Sequence, residues 1–120
     1  MSNCIFCKII RGDEPERTII FETATVLVIK PRTEINPGHA LVIPKQHFVD
    51  LSDIPEDAFN QVAEVSRQMA KLLQEKYKSS GTNILHASGK DAGQSVFHFH
   101  IHVVPRFESD GLDLWLKRNL

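Results

Sequence analysis

Long apolar runs are missing from this sequence: no stretch approaches the roughly 18 consecutive apolar residues that cross a bilayer. The opening MSNCIFCKIIRGDEPER also lacks the basic flank and apolar stretch of a secretory leader, so a cytoplasmic protein with no membrane contact is expected. An excess of either charge is missing too. Fourteen Lys and Arg against fifteen Asp and Glu give a formal net charge of -1, which supplies no broad basic field for duplex nucleic acid. A nucleotide remains a plausible ligand and a nucleic acid polymer does not. Cysteine is scarcer still, confined to Cys4 and Cys7. Reduced thiols spaced C-x-x-C are a redox pair, half of a metal site, or simply two small apolar residues in a short helix. A thioredoxin-like pair would follow a strand, and none precedes Cys4.

What is present fits one compact domain over residues 1–120. IFCKIIRG reads as a short helix ending at Gly12, with Lys8 and Arg11 toward its C-terminal end. TIIFET and TVLVIK are two strands joined by a turn, and PRTEINPGHA is a proline-punctuated loop that leads into a third strand, HALVIPK. Asp53 and Glu56 form a capping-box pattern ahead of an amphipathic helix over about 54–78, its stripe being Phe59, Val62, Val65, Met69, Leu72 and Tyr77. NILHAS is a fourth strand, GKDAGQ a glycine-bearing loop, and VFHFHIHVVP a fifth strand; the last dozen residues, with Leu112 and Trp115, form a helix or a tail that covers a dimer. Clustered strands that do not alternate with helices indicate an α+β fold with a mostly antiparallel sheet.

The fifth strand carries the chemistry. Alternation along a strand puts His98, His100 and His102 on one face and Phe97, Phe99, Ile101 and Val103 on the other. A single histidine there would be an ordinary core or surface residue. Three in strict alternation leave two readings: adjacent pairs bind metal, or the histidines have different tasks. About 13 Å of backbone separates His98 from His102, so one ion does not take all three. Zinc on two thiolates needs two imidazoles, which His47 and His98 could supply if their strands pass the N-terminal helix; His100 would then be free to act as a nucleophile or base. In GKDAGQSVFHFH the glycines, Gly93 among them, let backbone N–H groups approach a ligand, and Gln94 and Ser95 add donors of the kind a phosphate oxyanion requires.

QSVFHFHIHVV resembles the signature His-φ-His-φ-His-φ-φ, φ being apolar, of the histidine triad (HIT) family of nucleotide hydrolases and transferases. CIFCKIIRGDEP, NPGHALVIPKQH and GKDAGQ resemble, in order, that family's N-terminal helix, third-strand motif and phosphate loop. The likeness covers roughly residues 3–106 and leaves a C-terminal tail, 107–120. It implies a homodimer in which two five-stranded sheets form one of ten strands. It implies that His100 attacks the α-phosphate and forms a nucleotidyl-histidine that water resolves, with His102, Gln94 and Ser95 holding phosphate oxygens. His39 lies at the pocket's edge by the same likeness, and Phe6, Ile9 and Leu41 match base-pocket positions. Cys4, Cys7, His47 and His98 match the structural zinc site of the zinc-carrying members. Two positions depart from the pattern: Pro31 stands where many members hold the ribose with an acidic or amide residue, and Ala87 where Asn or Gln is common. Glu34 or Ser88 are the candidate substitutes.

The sequence therefore supports an enzyme acting on nucleoside phosphoramidates, adenylylated compounds or dinucleoside polyphosphates. The alternatives are a nucleotide-binding module or sensor that turns over weakly, a catalytic metal site held by His98 and His100, and a redox C-x-x-C.

Overall fold

The computed structural model describes residues 3–116. Helix α1 (Ile5–Arg11) is followed by strands β1 (Ile19–Glu22), β2 (Val26–Ile29) and β3 (Ala40–Pro44), helix α2 (Glu56–Tyr77), strand β4 (Gly81–Leu85), a 3-10 turn (Lys90–Ala92) and strand β5 (Ile101–Arg106). The strands form one sheet in the order β1-β2-β3-β5-β4, and every neighbouring pair is antiparallel.

Both faces of the central strands are covered, which is why TVLVIK and HALVIPK read as continuous apolar runs. Val26, Val28, Ala40 and Val42 turn toward α2 and pack with its Val62, Val65, Met69 and Leu73. Leu27, Ile29, Leu41 and Ile43 turn the other way and pack under Phe6 and Ile9 of α1. The alternation read in the fifth strand persists: Phe99, Ile101 and Val103 lie in the α2-side core, while His102 pairs in register with Leu41 on the α1 side. Phe97 departs from it and is half exposed.

Several boundaries differ from those the sequence suggests. Strand β5 starts at Ile101, not at Val96. His98 Nε2 donates to the Pro44 carbonyl at 2.8 Å, and the Phe99 N–H donates to the Phe48 carbonyl, so a side chain and a loop take the place of the ladder there. Strand β4 is set earlier, at Gly81–Leu85, because the residues after it leave the sheet to turn the His86 side chain inward. Asp53 does not cap α2. Its carboxylate accepts from the N–H groups of Val49 and Asp50, closing the preceding turn, and Pro55 stands at the N-cap with no side-chain bond. Leu73 is buried while Leu72 and Tyr77 are largely exposed, since the steps 62, 65, 69, 73 keep to one helical face and 72 falls off it. Residues 107–116 form neither helix nor strand, so no terminal helix occurs within them; 117–120 fall outside the described residues.

Gly38 illustrates how tightly the loop before β3 is held. Its φ is +87°, and a Cβ there would meet Tyr77 Cδ2 at 2.8 Å and Pro105 Cγ at 3.0 Å. Gly38→Ala combines left-handed backbone strain with overpacking, and we expect it to lower unfolding stability by about 1–3 kcal/mol. A fall in the urea midpoint at unchanged slope is the result that checks this.

Candidate functional site

C-x-x-C at the start of a helix puts both thiols on its first turn. Cys4 is the N-cap of α1, and its sulfur accepts from the Cys7 N–H at 3.4 Å. His47 follows β3 and His98 precedes β5, adjacent strands in the sheet, so both imidazoles reach the same helix end. Cys4 Sγ lies 3.4 Å from His98 Nδ1, Cys7 Sγ 3.6 Å from His98 Nδ1 and 3.3 Å from His47 Nδ1, and the two Nδ1 atoms are 3.1 Å apart. Zinc bonds of about 2.3 Å to sulfur and 2.0–2.1 Å to nitrogen, at tetrahedral angles, would set sulfur and nitrogen about 3.6 Å apart and two nitrogens about 3.3 Å apart. The fit is close.

The protons support it. His98 donates through Nε2 to Pro44, and burial lowers its pKa to about 4, so its Nδ1 carries a lone pair aimed at the sulfurs and at the other imidazole. Lone pairs converging this closely repel one another unless a cation lies between them. Four protein donors close a tetrahedron, which makes this a structural zinc site and not a catalytic one. His100 is outside the donor group found among the described residues, contrary to a catalytic metal held by His98 and His100.

Beside the cluster lies a pocket of about 300 Å³. Phe6 of α1 and Leu41 of β3 give it apolar walls, Gly93, Gln94, Ser95 and Val96 form one side, and His100 and His102 face into it. A larger depression of about 530 Å³ near Lys45 and Asp57 has no imidazole or thiol in its lining and offers no comparable chemistry.

Hydrogen bonds give the two pocket histidines opposite roles. His100 Nδ1 donates to the His98 carbonyl at 2.8 Å, which leaves the lone pair on Nε2. His39 Nδ1 accepts from the Ile35 N–H, so its own proton is on Nε2 and is donated to His102 Nδ1 at 3.0 Å. His102 therefore carries its proton on Nε2. Burial depresses the pKa of both pocket histidines, His102 to about 4, so both are neutral near pH 7. One nitrogen can attack and its neighbour can donate. The two rings are 5.1 Å apart, and Phe6 sits edge-on at 5.2 Å from His100 and 5.6 Å from His98.

Several candidate residues stand elsewhere than expected. Gln94 donates both amide hydrogens, to the carbonyls of Val49 and Val96, and accepts from the Gly89 N–H; it shapes the loop and has no side-chain donor left for an anion. Ser88 accepts from the Leu51 N–H and donates to His86 Nε2, so its hydroxyl is committed away from the pocket. Glu34 is paired with Lys30 at 2.8 Å and cannot replace a ribose-binding group at Pro31. Ile9 lies in the core beneath Phe6 and is not a wall of the pocket, and His39 reaches it only through His102. Ser95 and Gly93 do line it, and so does Ala87.

Three residues of the site escape a reading of the sequence. His86 Nδ1 donates to the His100 carbonyl at 2.9 Å, completing a chain from Leu51 through Ser88 that fixes the backbone at His100. Arg17 and Arg32 line the pocket's far side. Their signal was available: each lies just beyond the open end of the hairpin whose register pairs Ile19 with Ile29.

Comparison with known proteins agrees with this geometry. The HIT domain model matches residues 13–109. "Protein hit" of Bacillus subtilis is 37% identical over 110 residues, covering 91% of this chain and 75% of that protein. The crystal structure of a Zn-bound histidine triad family protein from Mycobacterium smegmatis superposes with a TM-score of 0.89 at 39% identity, covering 98% of this chain and 85% of that one. A HIT family hydrolase from Clostridium thermocellum superposes with a TM-score of 0.77 at 32% identity over 98% of both chains.

Proposed function

This chain belongs to the HIT family, and on that premise we propose that it is a nucleotide hydrolase or transferase working through a covalent nucleotidyl-His100 intermediate. The observation that carries the reading is the His100 imidazole, whose Nδ1 proton is tied to the His98 carbonyl while Nε2 is left free in the pocket beside the protonated Nε2 of His102. Its substrates are nucleoside phosphoramidates, adenylylated compounds or dinucleoside polyphosphates.

In the first step the His100 Nε2 lone pair attacks the α-phosphorus. The bond from phosphorus to the leaving nitrogen or oxygen breaks, and the leaving group departs with a proton taken from solvent. His102 Nε2–H donates to a non-bridging oxygen as charge builds, and Ser95 adds a hydroxyl donor. Water then attacks phosphorus and releases a proton to solvent, the bond to His100 breaks, and Nε2 regains its lone pair. Cys4, Cys7, His47 and His98 hold zinc, which supplies fixed position and no acid or nucleophile. Because the His98 carbonyl accepts the His100 proton, anchoring residue 98 presets the attacking ring.

We read residues 1–120 as a single HIT domain acting as a homodimer in the cytoplasm, where its thiols stay reduced. The exposed edge of β4, with Ile84 on its surface, supports a partner strand there. A nucleotide-binding module with weak turnover is the second reading, favoured by the commitment of both Gln94 amide hydrogens within the loop.

Intact-mass measurement after neutral denaturing quench with an adenosine phosphoramidate separates the two. A gain of one nucleoside monophosphoryl group, absent in His100→Ala, is expected. Saturable binding with no mass gain and no product would establish the module instead.

A further inference from the structure

We propose that Arg17 and Arg32 form an anion subsite at the far end of the histidine pocket. The subsite selects substrates whose retained nucleoside half carries a second phosphate on its sugar. The inference rests on the nucleotide reading above and specifies its substrate class.

Charge accounting sets these two side chains apart. Arg11, Arg67 and Arg106 each hold a carboxylate, as do Lys30 and Lys45. Among the described residues neither Arg17 nor Arg32 has an ion-pair partner, and the one bond of Arg17 is a 3.5 Å contact from Nη2 to the Lys30 carbonyl. Both line the histidine pocket and also an adjoining depression of about 250 Å³ that runs over Glu16, Thr18, Lys30 and Pro31. The two hollows have Arg17 and Arg32 in common in their linings. No carboxylate lines the histidine pocket, and Pro31, between Lys30 and Arg32, offers no side-chain acceptor to a ribose hydroxyl.

Sheet geometry gives the span. Arg32 follows β2 and His102 is on β5, two strands away, so with strands about 4.8 Å apart their backbones are on the order of 10 Å apart and the arginines stand across the pocket from the histidines. That is the reach of a sugar and more, not of the single oxygen that bridges neighbouring phosphorus atoms. The second anion is therefore across the sugar and stays with the enzyme after the leaving group departs. Between the two ends, Phe6 and Leu41 offer only apolar contact. Two planar guanidinium forks lining one pocket suit a phosphate dianion, which can take a charge-assisted bond from each. The same forks could read the acceptor edge of a guanine, a neutral partner with weaker attraction.

Calorimetric titration of the zinc-loaded protein with AMP, adenosine 2′,5′-bisphosphate, adenosine 3′,5′-bisphosphate and GMP, at low and high salt, tests this. At least one bisphosphate is expected to bind about tenfold or more tightly than AMP, with a steeper salt dependence. Arg17→Gln and Arg32→Gln are each expected to cost the bisphosphate more affinity than AMP, and the double substitution to erase the preference. Equal binding of AMP and both bisphosphates, or a preference that survives the double substitution, overturns the proposal. A GMP preference lost in the double variant also overturns it, assigning the arginines to the base. If AMP binds and the bisphosphates gain nothing, only the subsite is lost; a folded protein that binds none of the four overturns the nucleotide reading as well.

Discussion

His100→Ala is expected to reduce kcat by about four orders of magnitude or more while changing nucleotide affinity only a few-fold. Removing a covalent nucleophile eliminates the route itself, so what remains is binding and electrostatic assistance. His102→Ala serves as the internal comparison. It deletes one donor to a phosphate oxygen, an effect of about 10²–10³ in kcat, and leaves the nucleophile in place. The contrast follows from the opposite proton placement in the two rings: His100 gives its Nδ1 proton to a backbone carbonyl, and His102 receives a proton at Nδ1 from His39. Equal effects of the two substitutions in single-turnover measurements would mean that the lone pair at His100 Nε2 has no separate task.

Removal of zinc is expected to produce the largest loss of stability. Cys7→Ser, or exhaustive chelation of the native protein, should abolish a stoichiometry of one zinc per chain. It should lower unfolding stability by at least about 3–5 kcal/mol, a fall in Tm on the order of 10–20 °C. The reason is local. Without the ion, two imidazole nitrogens and two sulfurs crowd together at 3.1–3.6 Å, and the start of α1 loses its polar tie to the lead-in of β5, leaving only the packing of Phe6 on His98 and His100. Because Phe6 on α1 packs edge-on against His100, turnover should fall along with stability. Metal analysis combined with thermal unfolding checks both parts. A protein that is fully stable and fully active without metal would remove any function from the cluster; one that keeps its stability and loses only activity would point to metal-activated water.

The zinc donors illustrate what can be read from a linear chain. Spacing of three residues at a helix start places two thiols together whatever the rest of the protein does, and period-two alternation assigns the histidines to one face. That alternation holds even though the strand itself begins only at Ile101, because extended backbone keeps the period whether or not a ladder bonds it. Failures of sequence reading occur where a side chain has a choice of backbone partner. Asp53 had the spacing of a cap, and its carboxylate bonded backward to Val49 and Asp50. Gln94 had the position of a ligand donor and was consumed by the carbonyls of Val49 and Val96, the first of them 45 residues away in sequence.

The amino-acid order alone thus determined the sheet-and-helix class, the pairing of the two thiols and the shared face of the three histidines, since periodicity and donor type are local properties. Tertiary structure decided which nitrogen of each imidazole carries its proton, that His86 supports the backbone under His100, and that Arg17 and Arg32 face the same pocket. Those are contacts between segments brought together only when the sheet closes, and no local pattern encodes a partner that distant in the chain.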